Sequence, residues 1–310
     1  MNAIVDFPAL NSFGKYKQMS IEVDADLGIV YSMMNPSPRP CFNPQLLDEI
    51  ARTERTIEAN DGHILYRGHP VEVRFVVYGS STPGVFNLGG DLGLFMECIK
   101  NRDRSSLAKY AELCIANMHP RIRNFDLPLT TISVVQGKAL GGGFECALAS
   151  SVLIAERHST MGFPEILFNL FPGMGALSLL GRKIGLKKAE EIILSGRLYS
   201  AQEMYDLGVV DLITEEGLGI ETARAYIRNH LRHFNGYRAL QQAKQHFQPV
   251  SLEEMKKVVG IWVDAALRLE PKDLKMMARL VKAQDRLLDS SEQRLDELCE
   301  QPIFEFQQAL

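Results

Sequence analysis

The chain has few cysteines, and they form no pattern typical of a disulfide framework or a metal site. Five cysteines occur among 310 residues, an odd number without a Cys-x-x-Cys pair. Reduced thiols in a cytoplasmic protein are the simplest interpretation of this usage. Cys146 lies in an apolar run, so we interpret it as a small buried residue rather than as a nucleophile.

The sequence also lacks a long apolar run and an excess of basic residues. No stretch is long enough to span a bilayer, and Met1 to Asp6 contains an acid but no positive segment, so no signal peptide and no membrane insertion are predicted. The net charge of −4 gives no reason to expect nucleic acid as a partner. With 46% hydrophobic residues, the chain can bury a large core, as one domain or as a domain with an appendage.

Several motifs of well-known enzyme classes are missing. There is no His-Glu-x-x-His and no Gly-x-Ser-x-Gly, which removes the main support for a zinc hydrolase or a serine hydrolase. The glycine run at 141–143 has neither the ending of a P-loop nor the spacing of a dinucleotide-binding turn. His230 and His233 lie one turn apart, where a solvated helix end is favoured over a metal site. We predict no cofactor and no metal.

Glu145 follows a glycine-rich turn at the start of a predicted helix. The β-branched run Thr130 to Val135 predicts a buried strand, and a helix can begin at Gly142. The first N–H groups of a helix have no intrahelical acceptor, so they are free to hold a ligand oxygen. Gly142 and Glu145 are about one turn apart and can share one face. The alternative is that the glycines only allow a helix to pack closely on a sheet.

Glu165 ends a second segment of this kind, Met161-Gly-Phe-Pro-Glu165. The two glutamates are interpreted as an acid/base pair, because Glu145 has apolar neighbours and desolvation raises the pKa of a carboxyl towards neutrality. A further backbone donor is indicated upstream. A strand is predicted over Val71 to Tyr78, and it is followed by a loop and by Phe86-Asn-Leu-Gly-Gly-Asp91, which in isolation is most often only a turn.

The order of these motifs resembles the crotonase, or enoyl-CoA hydratase, superfamily. The similarity spans roughly Val71 to Asp211 and implies an α/β fold, a crotonase (ClpP-like) spiral of ββα units with a C-terminal helical region. It implies that the Leu88 N–H, with Gly89 adjacent, and the Gly142 N–H form the oxyanion hole for a thioester carbonyl. Glu145 and Glu165 match the two acid/base positions of the family. Many members lack one or both glutamates, whereas this chain has both.

A narrower resemblance, to the synthases of diffusible signal factors, covers nearly the whole chain. It rests on four segments: 34–42, 163–175, 261–267 and 277–284. It implies dehydration of a 3-hydroxyacyl thioester on acyl carrier protein, followed by hydrolysis to a free cis-2-enoic fatty acid that serves as a quorum-sensing signal. It also implies an acyl pocket lined by Met174, Trp262 and Leu280, although periodicity alone makes these core residues. The resemblance also implies the receiver domain of a sensor kinase as a possible partner. It implies a trimer or a dimer of trimers as the assembly.

Two rival functions are open. An enoyl-CoA hydratase of β-oxidation would use the same glutamates on coenzyme A thioesters. A non-catalytic crotonase-fold module would regulate a signalling partner, but a pure binding surface has no need of two such glutamates.

Along the chain, strand and helix patterns alternate to Asp211, and only helices are predicted beyond Glu215. The N-terminal part is predicted to contain paired strands within Ile21 to Met34 and a helix from Pro44. We place a boundary near Gly217 to Gly219, which divides the chain into a crotonase core, 1–217, and a C-terminal helical region, 218–310. The resemblance implies that this C-terminal region lines the acyl pocket and forms the oligomer.

The last predicted helix has two faces. Apolar residues recur on one side, and basic residues recur at helical spacing on the other. A solvated surface is the ordinary interpretation of such a stripe, and a docking site for an acidic protein such as acyl carrier protein is the alternative. The basic residues are Lys272, Lys275, Arg279, Lys282 and Arg286.

Overall fold

The described part of the chain contains, near its start, the strand pair and the helix that the sequence predicts. The structure, a computed structural model, describes residues 13–284. Strands β1 (Met19–Asp24) and β2 (Ile29–Met34) pair in antiparallel fashion. Helix α1 (Pro44–Glu58) starts where Asn43 Oδ1 accepts a hydrogen bond from Leu46 N–H at 2.9 Å. The side-chain cap and the proline in the first turn both favour a helix start at this point.

The single strand predicted over Val71 to Tyr78 is wrong, because the chain changes neighbours in its middle. Strand β4 (His69–Glu72) pairs only with β3 (His63–Tyr66), whereas β5 (Phe75–Ser80) joins the large sheet. Between them, Val73 N–H donates to Gly62 O and Arg74 N–H donates to Gly28 O. Residues of high β propensity fill both strands, so composition alone does not reveal the break.

A repeated strand pair builds the two main sheets. In each repeat the first strand joins a six-stranded sheet and the second joins a four-stranded sheet. The six-stranded order is β1-β2-β5-β7-β9-β12, and the four-stranded order is β11-β10-β8-β6. The strands not yet introduced are β6 (Val85–Asn87), β7 (Thr130–Val135), β8 (Lys138–Leu140), β9 (Val152–Glu156), β10 (Thr160–Gly162), β11 (Leu198–Ser200) and β12 (Leu212–Thr214).

The four-stranded sheet brings the sequence motifs together. Strands β6, β8 and β10 are adjacent and parallel. Their carboxyl ends therefore lie at one edge of the sheet. Each strand leads directly into a motif: β6 into the Gly-Gly-Asp turn, β8 into the glycine run before Glu145, and β10 into Phe163-Pro-Glu165. The first and the last of these motifs, at 89–91 and 163–165, thus become neighbours although they are far apart in sequence.

Helices surround the sheets, and they are the only regular elements of the described chain beyond β12. The predicted helix at Gly142 is α4, and the predicted helical C-terminal part contains α8 to α11. The helices are α2 (Leu92–Lys100), α3 (Arg104–Ile122), α4 (Gly142–Leu148), α5 (Ala176–Ile184), α6 (Leu186–Ser195), α7 (Ala201–Asp206), α8 (Gly219–Leu231), α9 (Phe234–Phe247), α10 (Leu252–Ala266) and α11 (271–284). None of the helices within 13–284 is both long and apolar enough to cross a membrane.

The C-terminal helices contribute to the same core as the sheets. Trp262 and Val263 of α10 and Met277 of α11 are buried in one apolar cluster with Phe86 and Phe144. Helix α8 packs instead on the large sheet through Ala223 and Ile227. Burial of this apolar surface fixes the C-terminal helices against the sheets. The division into 1–217 and 218–310 stays a prediction.

Candidate active site

Glu145 is a buried carboxylate held by backbone donors. It lies in the first turn of α4 and is 1% exposed. Its Oε1 accepts hydrogen bonds from Met174 N–H at 2.8 Å and from Ala176 N–H at 2.9 Å. Burial raises the pKa of Glu145 to about 7, although the backbone N–H groups act in the opposite direction. The carboxyl is therefore fixed in position and able to exchange a proton near neutral pH.

Glu165 lies in a short 3-10 helix (Pro164–Phe168) that follows β10. The residue is half-buried, but its Oε2 atom is enclosed and has no hydrogen-bond partner within the described chain. Burial, reinforced by the charge of Glu145, raises the pKa of Glu165 to about 8. An enclosed carboxyl oxygen without a partner is unusual in a folded protein and marks a place where a ligand atom can bind.

Gly141 makes room for the Glu165 carboxyl. It has a φ of 52°, a region that side chains rarely adopt, and a Cβ built on it would lie 2.3 Å from Glu165 Oε1. Only glycine satisfies both the turn and this close approach. The glycine before α4 thus brings the backbone of one motif against the carboxyl of the other.

The two carboxyls titrate as a coupled pair. Each is buried, and the charge on Glu145 raises the pKa of Glu165. The backbone donors stabilise the ionised form of Glu145, whereas Glu165 Oε2 has no such donor. A single proton on the two carboxyls therefore favours Glu165, which leaves Glu145 ionised near neutral pH.

The hydrogen bonds around the Gly-Gly-Asp turn differ from the expected oxyanion donors. Leu88 N–H donates to Pro40 O at 2.7 Å, and Gly89 N–H donates to Asn87 Oδ1 at 2.8 Å. Both groups are therefore already satisfied. Among the hydrogen bonds of residues 13–284, the N–H groups of Gly90 and Gly142 have no acceptor.

Gly90 and Gly142 lie next to each other across the two loops. The position of a Cβ on Gly142 would be 3.5 Å from Gly90 N, and a Cβ on Gly89 would be 3.0 Å from Gly142 N. Sequence reasoning missed Gly90, because the pattern Gly-Gly-Asp does not reveal which N–H groups donate to Pro40 O and to the Asn87 side chain. The oxyanion role of Gly142 stays a prediction, and Gly90 is the second candidate donor, because the N–H groups of Leu88 and Gly89 already have acceptors.

An apolar cavity of about 220 Å³ opens beside the carboxyls. Its lining includes both glutamates, Gly90 and Gly142. Met174, Trp262 and Leu280, which come from three separate parts of the sequence, all line it as well. The apolar walls suit a hydrocarbon chain, and the few polar groups lie where a reacting head group would be held.

Aromatic side chains that sequence reasoning did not single out form one wall of this cavity. The ring of Phe95 packs edge-on against Trp262 at 5.1 Å and against Tyr110 at 5.3 Å. Phe95 also lies over Gly90, because a Cβ on that glycine would be 2.5 Å from Phe95 Cζ. Phe95 follows Gly90 by five residues, and this spacing alone gives no signal that the ring folds back on the turn.

A buried polar cluster supports helix α4 from behind. The Arg121 guanidinium contacts Glu54 Oε1 at 3.0 Å, Cys146 Sγ at 2.8 Å and the ring of Tyr78 at 3.6 Å. Cys146 is buried beside Glu145, and the burial raises the pKa of its thiol. This environment agrees with a structural role for Cys146, since a reactive cysteine needs a lowered pKa and some exposure.

The other candidate groups lie away from this site. His230 Nδ1 contacts Tyr226 O at 2.8 Å, and its ring packs against Tyr226 and Tyr237 beneath the large sheet. The cysteines at 41, 98, 114 and 146 are free and buried. Within 13–284, no group of three or more His, Cys, Asp or Glu side chains is arranged to hold a metal ion.

Known proteins resemble this chain in sequence and in fold. A sequence model of the family described as enoyl-CoA hydratase/isomerase matches residues 29–273. The structure of enoyl-CoA hydratase from Bacillus halodurans has a TM-score of 0.68 at 19% identity and covers 85% of this chain and 100% of that protein. The structure of DspI from Pseudomonas aeruginosa has a TM-score of 0.59 at 20% identity and covers 93% of this chain and 98% of that protein. At these identities the structures show a common fold.

Proposed function

Because the chain belongs to the enoyl-CoA hydratase/isomerase family, we propose that it dehydrates a 3-hydroxyacyl thioester on acyl carrier protein and then hydrolyses the enoyl thioester. The observation that carries the proposal is the arrangement of Glu145 and Glu165 beside two unoccupied N–H groups at one end of an apolar cavity. The final product is a free cis-2-enoic fatty acid, a diffusible signal factor.

In the dehydration step, Glu165 takes a proton from C2 of the acyl chain while Glu145 protonates the departing C3 hydroxyl. Negative charge moves onto the thioester oxygen, where the N–H groups of Gly90 and Gly142 stabilise it. One such donor is worth about 3–4 kcal/mol in the transition state. The hydroxyl leaves as water, and a double bond forms between C2 and C3.

In the second step, water adds to the thioester carbonyl and the carbon–sulfur bond breaks. One of the same glutamates accepts a proton from the attacking water, and the carrier leaves as a thiol. The oxyanion of the tetrahedral intermediate accepts hydrogen bonds from the same two N–H groups, so a single site serves both steps. The similarity of the 34–42, 163–175, 261–267 and 277–284 segments to signal synthases supports this sequence of reactions.

Hydration of an enoyl-CoA is the second candidate function. The donors from Met174 and Ala176 favour an ionised Glu145, and the resting proton therefore favours Glu165. That arrangement suits addition of water, in which Glu145 activates the water and Glu165 protonates C2. Dehydration uses the other tautomer of the same singly protonated pair. A non-catalytic module has less support, since it needs no such pair of carboxyls.

Removing either carboxyl tests the proposal. We expect Glu145→Gln and Glu165→Gln each to lower the dehydration rate of 3-hydroxyacyl carrier protein by at least ~100-fold, the usual range for general acid–base catalysis. Glu190→Gln is the matched control, because Glu190 is exposed on α6 and outside the cavity. Near-normal turnover by either active-site amide, measured by mass spectrometry of the enoyl product, would remove that residue from the mechanism.

The trimer-based assembly and the receiver domain of a sensor kinase remain expectations from the resemblance. The exposed apolar side chains Leu167, Leu186 and Leu194 provide surface that an oligomer can bury.

A further inference from the structure

Helix α11 joins the cavity to the protein surface. Its inner side supplies Leu280, Ala283 and Gln284 to the cavity lining. The side chains of Lys275, Arg279 and Lys282 are exposed on the same helix. They recur at intervals of four and three residues, so they form one stripe. A positive surface therefore lies one helix width from the cavity that holds the catalytic carboxyls.

These three cations have no carboxylate partner within residues 13–284. Most of the basic residues on α5 and α6, by contrast, form ion pairs. In α5 and α6, Arg182 pairs with Glu254 at 2.8 Å, Lys183 with Asp211 at 3.2 Å and Lys188 with Glu191 at 2.9 Å. On α11 itself, Lys272 pairs with Glu270 at 2.9 Å. The positive charge of the stripe formed by Lys275, Arg279 and Lys282 is therefore not neutralised by the described protein.

The stripe is also unfavourable for the helix that carries it. Lys275 and Arg279 are four residues apart, and like charges at this spacing destabilise a helix by a few tenths of a kcal/mol. The whole chain has a net charge of −4, which repels an acidic partner at long range. A local positive surface beside the cavity would attract an acidic substrate carrier at the place where it has to approach.

We propose that Lys275, Arg279 and Lys282 form the docking surface for an acidic acyl carrier protein that delivers the thioester. This inference rests on the proposed function, in which the substrate is attached to a carrier. The acyl chain enters the cavity past Leu280, while the carrier remains outside on the opposite side of α11. Charge complementarity of this kind acts mainly on association and is weakened by salt.

The test reverses the charge of the stripe and compares large with small substrates. Lys275→Glu/Arg279→Glu/Lys282→Glu should raise the KM for acyl carrier protein thioesters by ~10-fold or more at low salt. It should leave kcat and KM for a pantetheine thioester within ~2-fold, because that substrate has no acidic surface to dock. Salt near 0.15 M should reduce the difference, since it screens exposed charges over about 8 Å.

The matched control is Lys109→Glu/Lys244→Glu/Lys256→Glu, which changes the net charge equally at exposed lysines of α3, α9 and α10. Binding of unacylated carrier protein, measured by calorimetry, gives a readout that does not depend on turnover. Equal carrier affinity in the stripe variant and the wild type, or an equal loss in the control, would overturn the docking surface. Carrier binding through the stripe without turnover of any thioester would contradict the proposed function and leave the docking surface standing.

Discussion

In the proposed mechanism, the buried carboxyls of Glu145 and Glu165 set the pH range of the reaction. Catalysis needs one proton on the pair, as an acid and a base are both required. Burial raises the pKa values to about 7 and about 8. We therefore expect kcat/KM to peak between these values and to fall about tenfold per pH unit on either side, because the pair is doubly protonated below and doubly ionised above. A profile from pH 5 to 10 that stays flat down to pH 5 would contradict the raised pKa values.

The same burial means that an ionised Glu165 destabilises the folded protein at high pH. Its pKa is raised from 4.5 to about 8, so the folded state holds a proton that the unfolded state releases in this window. The free energy of unfolding should accordingly fall as pH rises from about 4.5 to 8. Glu165→Gln removes this dependence, and we expect it to stabilise the protein by up to a few kcal/mol at pH 8 and by little near pH 4.5. Urea denaturation at both pH values measures it, and a variant less stable than wild type at pH 8 would refute the assignment.

Gly141 is a residue whose role depends on both its backbone and its neighbour. Gly141→Ala places a methyl group where the Glu165 carboxyl lies, so we expect kcat to fall about 100-fold, as small displacements of catalytic groups do. Gly217→Ala is the matched control, since Gly217 has a φ of 77° and nothing within 4 Å of the added Cβ. Both variants should lose stability on the order of 1–3 kcal/mol through backbone strain. Equal activity of the two variants, at equal thermal stability, would show that Gly141 serves only the turn.

Sequence could single out the two glutamates and Gly142 as candidates, because each belongs to a segment in which a glycine-bearing turn follows a strand-like run. It could not identify Gly90. The N–H of Leu88 is taken by Pro40, which is 48 residues earlier, and Gly89 N–H is taken by the side chain of Asn87. Which donor remains free depends on contacts that no local pattern contains.

Among the elements, α10 links the C-terminal helices to the cavity through Trp262. This ring is 6% exposed and packs so closely on the 170–175 loop that a Cβ on Gly173 would lie 2.4 Å from it. Trp262→Ala should weaken use of long acyl chains more than of short ones, because lost apolar contact scales with buried area at about 25 cal/mol per Å². The measurement is kcat/KM across a series of chain lengths.

Val263→Ala controls for destabilisation of the same helix, since Val263 is buried but outside the cavity lining. We expect it to lower thermal stability without changing the chain-length profile. Equal losses at every chain length for Trp262→Ala would make Trp262 a core residue only, which is the interpretation that periodicity alone favours.

The prediction of elements succeeded where a local signal marks an end. Pro44 after Asn43 marks the start of α1, and the glycine run 141–143 marks the start of α4. It failed over Val71 to Tyr78, where the two halves pair with different strands. Strand propensity describes residues that fit a pleated sheet, and it does not specify which sheet they join.

Across the whole molecule, the site exists because β6, β8 and β10 lie side by side and end at the same edge. No single segment contains an acid, a base and two free N–H groups. The alternation of strands and helices predicts a layered α/β fold, and the resemblance to crotonases supplies the topology. Burial of the C-terminal helices on this core completes the cavity, and long-range packing of this kind has no local signature in sequence.

Reaction in water enriched in ¹⁸O tests the central claim most directly. A 3-hydroxyacyl carrier protein is incubated with the enzyme, and the released acid is analysed by mass spectrometry and by chromatography against cis and trans standards. Dehydration followed by hydrolysis predicts a free cis-2-enoic acid with one ¹⁸O atom, in its carboxyl group. Release of a 3-hydroxy acid, or conversion of the substrate to enoyl thioester without release of any free enoic acid, would contradict the account.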